Sequence, residues 1–173
     1  MDNKIAFIFP GQGSQYSGMG AELYSAYPEA REIYNEAQSV LGYDMAKMCF
    51  EASNEELTLT INAQPAIYTT SIACHKILTT RLINGKNIVP TVIAGHSLGE
   101  YSALCAANVY SFADGLRFVY NRAKFMHEAG QNTKGTMAAI VGMTKDNLDA
   151  LCAEVTNEGK YVAVSIFNSP QQI

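Results

Sequence analysis

Ser97 stands in the run Gly95-His96-Ser97-Leu98-Gly99, a G-x-S-x-G pentapeptide. The apolar, β-prone stretch Ile88–Ala94 precedes it, and a helical pattern follows to about Asn108. Strand, pentapeptide and helix in that order make a nucleophile elbow. The turn is so tight that neighbouring side chains would clash, which is why glycines flank the serine two positions away on each side. Such a turn exposes the serine Oγ above the sheet edge. It also sets the Leu98 N–H at a helix start, aimed where an oxyanion develops in acyl transfer. One preorganised donor of that kind contributes roughly 3–4 kcal/mol. The competing reading is a glycine-rich turn with no chemistry.

A second donor is sought in Pro10-Gly11-Gln12-Gly13-Ser14-Gln15, which follows the apolar run Ile5–Phe9. Nucleotide-binding fingerprints fail there on spacing: the third glycine position holds Tyr16, and no Gly-Lys-Ser/Thr follows. The glycines instead let the backbone approach a ligand closely, and the N–H near Gln12 pairs with that of Leu98 as an oxyanion donor. A plain connecting loop is the alternative.

A base for Ser97 is harder to find among the 3 histidines. His96, next to the serine on a sharp turn, points elsewhere and is expected to pack and hydrogen-bond under the elbow. His75 lies mid-helix among apolar residues. His127 lies near a helix C-terminus, where positive charge is favourable. Arg122 is the unusual cation. Phe118, Arg122, Phe125 and Ala129 recur at helical spacing, with Leu116, Val119, Ala123 and Met126 beside them, so Arg122 is expected on a broad apolar face. A buried guanidinium needs an anion, and its planar fork fits a carboxylate bidentately. Either an internal Asp or Glu satisfies it, which these residues alone favour, or a bound carboxylate does.

The elements that must hold these residues alternate in kind. Strands are expected at Ile5–Phe9 and Ile88–Ala94, both buried. Helices are expected from about Ala21 to Leu41, broken or restarted at Pro28, then as short turns over 45–63. Another runs from Gln64-Pro65, with the proline in the first turn, to about Leu82, before an Asn84-Gly85 turn. A last one spans Phe112 to Ala129. This is the pattern of a parallel α/β sheet. The texture changes near Gly130: Gly135–Val141 and Tyr161–Phe167 read as strands around a helix from Lys145 to Thr156, half of a small α+β unit.

The 173 residues, 48% hydrophobic and 16% charged with net charge −4, are globular in composition and carry no basic run for nucleic acid. No apolar stretch is long enough to span a bilayer. The N-terminus lacks the apolar region of a signal peptide, so a cytoplasmic protein is expected. Cys49, Cys74, Cys105 and Cys152 form no C-x-x-C pair and read as free thiols, with no metal site.

Taken together, five ordered runs resemble the malonyl-CoA:acyl carrier protein transacylase family. They are Phe9-Pro10-Gly11-Gln12-Gly13-Ser14-Gln15, Gln64-Pro65-Ala66, Gly95-His96-Ser97-Leu98-Gly99-Glu100-Tyr101, Arg122, and Asn168-Ser169-Pro170. The resemblance implies an α/β-hydrolase-like large domain with a parallel sheet, its N-terminal part here being residues 1–130. Residues 131–173 would be the first half of an inserted ferredoxin-like α+β domain. It implies ping-pong transfer of malonyl from coenzyme A, through acyl-Ser97, to the phosphopantetheine thiol of acyl carrier protein, in fatty acid biosynthesis. Backbone N–H groups of Gln12 and Leu98 would form the oxyanion hole. Arg122 would hold the malonyl carboxylate, which reverses the preference for an internal partner. Gln64 would line the cleft in a supporting role, as would His96. No resident cofactor is implied, malonyl-CoA being substrate and phosphopantetheine belonging to the partner, and the family habit is monomeric.

The family's catalytic histidine, and a glutamine that orients it, have no counterpart here, and family members are much longer. The chain therefore reads as an N-terminal portion. Three other readings share the elbow: a lipase or thioesterase, a non-catalytic carrier-protein docking module, and an acyltransferase domain of a megasynthase. Residues 1–173 in isolation would leave sheet edges open. They are expected neither to unfold cooperatively in denaturant nor to turn over malonyl-CoA.

Overall fold

The computed structural model describes residues 4–81, 88–132, 135–157 and 160–173. The expected Asn84-Gly85 turn lies outside them. The chain divides into two compact units, Met1–Thr133 and Lys134–Ile173.

In the first unit, β1 (Ala6–Phe9) and β2 (Val92–Gly95) pair in parallel, with Ala6 opposite Val92 and Phe9 opposite Gly95. Parallel neighbours need a long crossover, and here five helices supply it: α1 (Ala21–Ala26), α2 (Pro28–Leu41), α3 (Met45–Glu51), α4 (Asn54–Thr58) and α5 (Thr60–Thr80). α6 (Gly99–Ala106) and α7 (Phe112–Asn132) follow β2. Both strands are shorter than their apolar runs and are not buried throughout. Ile8 is 69% and Val92 56% exposed, while Phe9 is buried. A short apolar run suits a strand covered on both faces, and here the described residues cover only one side of the ladder.

α5 is the axis of the core. It is buried on nearly every side between Ala63 and Ala73, as a helix packed around its circumference must be. Tyr34 of α2, Met45 and Cys49 of α3, and Leu116 and Val119 of α7 close around it. Burial pushes the Cys49 thiol up to about 12, consistent with an inert packing role. The helix begins earlier than expected. The N–H groups of Asn62 and Ala63 both reach the Leu59 carbonyl at 2.8 Å, so the first turn closes ahead of the proline. Pro65 thus sits in the helix interior. It removes one backbone bond there but is buried in the core, where packing outweighs the loss.

Local signals account for the other helix ends. Pro28 opens α2 at its first position and Gly42 closes it at φ 78°. Asp44 and Ser53 accept from the N–H groups of Lys47 and Glu56, capping α3 and α4.

In the second unit α8 (Lys145–Asn157) forms, but Gly135–Val141 and Tyr161–Phe167 are not laddered strands. Ile140 and Ile173 exchange backbone bonds, and Gly142 N–H donates to Gln171. A strand needs a lateral partner, and among the described residues the 135–141 segment finds one only in 171–173.

His75 of α5 packs its ring edge-on to Phe7 at 5.7 Å and tilted against Phe9 at 6.1 Å. Burial lowers its pKa from the ordinary 6.5. As pH falls through about 6.5, the unfolded chain takes up a proton that folded His75 refuses, so stability declines on the acid side. Urea titrations of the full-length protein across pH 7 to 5 are expected to show that decline, and His75→Phe to flatten it.

Candidate active site

The elbow follows from three glycines that bring backbone against backbone. A Cβ on Gly95 would collide with the Gly99 carbonyl, and one on Gly99 with the Phe9 carbonyl. One on Gly11 would lie 2.8 Å from His96 O. The end of β1, the N-terminal loop and the turn after β2 are therefore interlocked. His96 N–H donates to Phe9 O at 3.1 Å, and Gly99 N–H to His96 O at 2.8 Å. The turn forces Ser97 to φ 51°; Asn108 is the other non-glycine with positive φ among the described residues. That conformation costs about 1–3 kcal/mol and persists only where the surroundings impose it.

Leu98 anchors the turn with a fully buried side chain. Its N–H stands at the start of α6 and meets no acceptor among the described residues. On the facing loop, Ser14 Oγ donates to Gly11 O at 2.9 Å and Gly13 N–H to Gln15 Oε1 at 2.8 Å, which holds the loop folded. The Gln12 side chain is tethered: its Nε2 donates to Thr60 Oγ1 at 3.2 Å and its Oε1 accepts from Gln64 Nε2 at 3.4 Å.

Gln64 is fully buried in α5. Its Oε1 accepts from Arg122 Nη1 at 2.5 Å, and its Nε2 also lies 3.3 Å from Met126 Sδ. Arg122 Nη2 donates to Ser97 Oγ at 3.1 Å. Ser97, Arg122, Gln64 and Gln12 thus form one continuous hydrogen-bonded set. Among the described residues no carboxylate lies within 4.0 Å of Arg122, so the internal acid favoured on composition alone is not its partner. Its two bonded acceptors are neutral.

The surroundings of Arg122 also differ from the apolar face expected. Leu116, Val119 and Ala123 do face the core, but Phe118, Phe125 and Met126 are 51%, 66% and 45% exposed. Arg122 stands at the border between the two stripes. With Tyr101, Asn121 and these three side chains it lines an open cavity of about 480 Å³.

His96 is exposed, with Nδ1 2.9 Å from the Cβ position at Gly11, so its ring lies against the N-terminal loop. His127 Nε2 engages Gln131 at 2.8 Å. Among the described residues no cluster of His, Cys, Asp and Glu is arranged to hold a metal ion.

A sequence-family profile described as acyl transferase domain matches residues 6–173. The chain belongs to the acyl transferase domain family. It is 47% identical over 171 residues to malonyl CoA-acyl carrier protein transacylase of Bacillus subtilis (strain 168), covering 99% of this chain and 52% of that protein. With the Escherichia coli (strain K12) protein of the same name it shares 44% identity over 170 residues, covering 98% and 53%. Among solved structures it resembles MCAT from Streptococcus pneumoniae, with TM-score 0.84 and 36% identity over 98% of this chain and 53% of that one. It also resembles a malonyl-transacylase in complex with a type II PKS acyl-carrier protein, with TM-score 0.83 and 37% identity over 98% and 53%. The chain spans about half the length of the curated relatives it matches. Its fold is that of these acyl transferases, α/β with a small parallel sheet.

Two neighbours of this set, Tyr101 and Met126, carry no chemical signal of their own in the sequence. Tyr101 stands four residues after Ser97, and Met126 four after Arg122. Helical spacing places Met126 beside Arg122 on α7, and Tyr101 lies in the first turn of α6 after the elbow, yet neither residue type draws attention without the fold. Strain at Ser97 gives a direct test. Ser97→Gly relieves the left-handed conformation but adds chain entropy of about 0.5–1 kcal/mol. A net gain of about 1 kcal/mol in unfolding free energy is expected in the full-length protein, together with complete loss of acylation.

Proposed function

We propose that the protein is a malonyl-CoA:acyl carrier protein transacylase working through an acyl-Ser97 intermediate, in fatty acid biosynthesis. The observation that carries this is Arg122. It is a guanidinium with no carboxylate within 4.0 Å among the described residues, bonded to the nucleophile and open to a cavity. A neutral ester gains nothing from a cation there, whereas malonyl brings a carboxylate within a few bonds of the attacked carbonyl.

In the first half-reaction Ser97 Oγ attacks the thioester carbonyl, and its proton passes to a base that we place outside residues 1–173. Negative charge on the former carbonyl oxygen is met by the N–H groups of Gln12 and Leu98. The C–S bond then breaks, and coenzyme A leaves as the thiol after taking up the proton. In the second half the phosphopantetheine thiol of acyl carrier protein attacks the acyl-serine, and the same steps run in reverse. Throughout, Arg122 takes the malonyl carboxylate in place of its bond to Ser97 Oγ, while Gln64 keeps the guanidinium in place. The named acyl-carrier-protein complex among the structural neighbours supports the choice of partner.

The same reading takes residues 1–130 as part of an α/β-hydrolase-like large domain. Residues 131–173 are then the first half of a ferredoxin-like insertion, in a monomeric, cytoplasmic enzyme without resident cofactor or metal. Supporting it are the parallel pair ending in an elbow, and a helix between two extended segments in the second unit. Among the described residues no helix is long and apolar enough to cross a membrane.

The test is substrate preference. A hydrogen bond to a charged group contributes about 1.5–3 kcal/mol. Arg122→Ala in the full-length protein is therefore expected to cut kcat/KM for malonyl-CoA about 10- to 150-fold, with acetyl transfer spared. Radioactive malonyl-CoA should label the protein, and Ser97→Ala should abolish the label. Equal loss of malonyl and acetyl transfer on Arg122→Ala would sink the carboxylate role.

A further inference from the structure

We infer that Tyr101 positions Arg122, and through it sets the preference for a carboxylated acyl group. The inference rests on the malonyl-transfer reading above. A guanidinium is a flat group, and hydrogen bonds restrain only its edge. Gln64 Oε1 and Ser97 Oγ hold the edge of Arg122 at two points. Rotation about the axis through those contacts is left free, and a bidentate carboxylate tolerates little of it. What stops that rotation is a surface against the face.

The Tyr101 ring supplies it, with Arg122 Cζ over the ring at 5.8 Å from the centroid. That is within the range at which the negative face of an aromatic ring attracts a cation. Tyr101 is itself held. Its carbonyl accepts from Tyr110 Oη at 2.7 Å, and the Tyr110 ring meets Phe118 edge-on at 5.6 Å. Phe118 lies on α7 one turn before Arg122, so ring and guanidinium are braced from the same helix. Tyr101 lies in the first turn of α6, directly after the elbow that carries Ser97, so the backstop follows the nucleophile closely along the chain. Tyr101 is thus a positioning residue, acting through the cation.

The experiment compares Tyr101→Phe and Tyr101→Leu in the full-length protein, with kcat and KM measured for malonyl-CoA and acetyl-CoA. Phe keeps the ring face and is expected to hold the malonyl-to-acetyl ratio. Leu removes the face and should lower that ratio about three- to tenfold, through KM for malonyl-CoA rather than kcat. Progressive fluorination of a phenylalanine at position 101 weakens the ring face without changing its shape. It should lower the ratio stepwise even where the Leu variant is insoluble. An unchanged ratio, an equal loss for both thioesters, a loss with Phe, or no trend with fluorination overturns the inference while malonyl transfer by the parent stands. A parent protein that transfers no malonyl removes the functional reading and this inference together.

Discussion

Two chain segments, Phe9–Gly11 and Gly95–Gly99, meet at the elbow largely backbone to backbone. The Phe9 carbonyl stands where a Cβ on Gly99 would have to be, the Gly99 carbonyl blocks one on Gly95, and the His96 backbone crowds one on Gly11. Interiors are packed too densely to absorb even one extra carbon at such a crossing. The parallel pairing of β1 with β2, the left-handed turn at Ser97 and the approach of the Gln12 loop all depend on that contact. The strain at Ser97 is sustained by it, because a backbone locked on both sides cannot relax into a commoner conformation.

Around this crossing the helices act as a frame. α5 delivers Gln64 from a fully buried position, so the amide is placed by the core rather than by a loop. α7 delivers Arg122, and its inner stripe of Leu116, Val119 and Ala123 fixes the helix rotation that turns the guanidinium toward the serine. Gln64 and Arg122 come from helices, while Ser97 and Gln12 come from a turn and a loop held by the backbone crossing, which suits chemistry that tolerates little misplacement.

Much of this was legible in the residues. The G-x-S-x-G spacing is a steric statement, and a steric statement survives into three dimensions. The helix start at Pro28 was equally local. What was not legible depended on partners far along the chain. The Phe118–Phe125 stripe showed apolarity, but nothing local tells whether the chain itself covers such a stripe. Segments 135–141 and 161–167 are apolar like strands, yet a ladder exists only where a second segment arrives. The bond between Gln12 and Gln64 joins residues 52 apart with no pattern to announce it.

Gln64 carries a further meaning. A glutamate at that position would have nearly the same shape and would grip Arg122 far more strongly. It would also neutralise the cation permanently, leaving an arriving carboxylate to compete with a tethered one at overwhelming effective concentration. An amide holds the guanidinium in place without discharging it. Neutrality at position 64 leaves the guanidinium both fixed and charged.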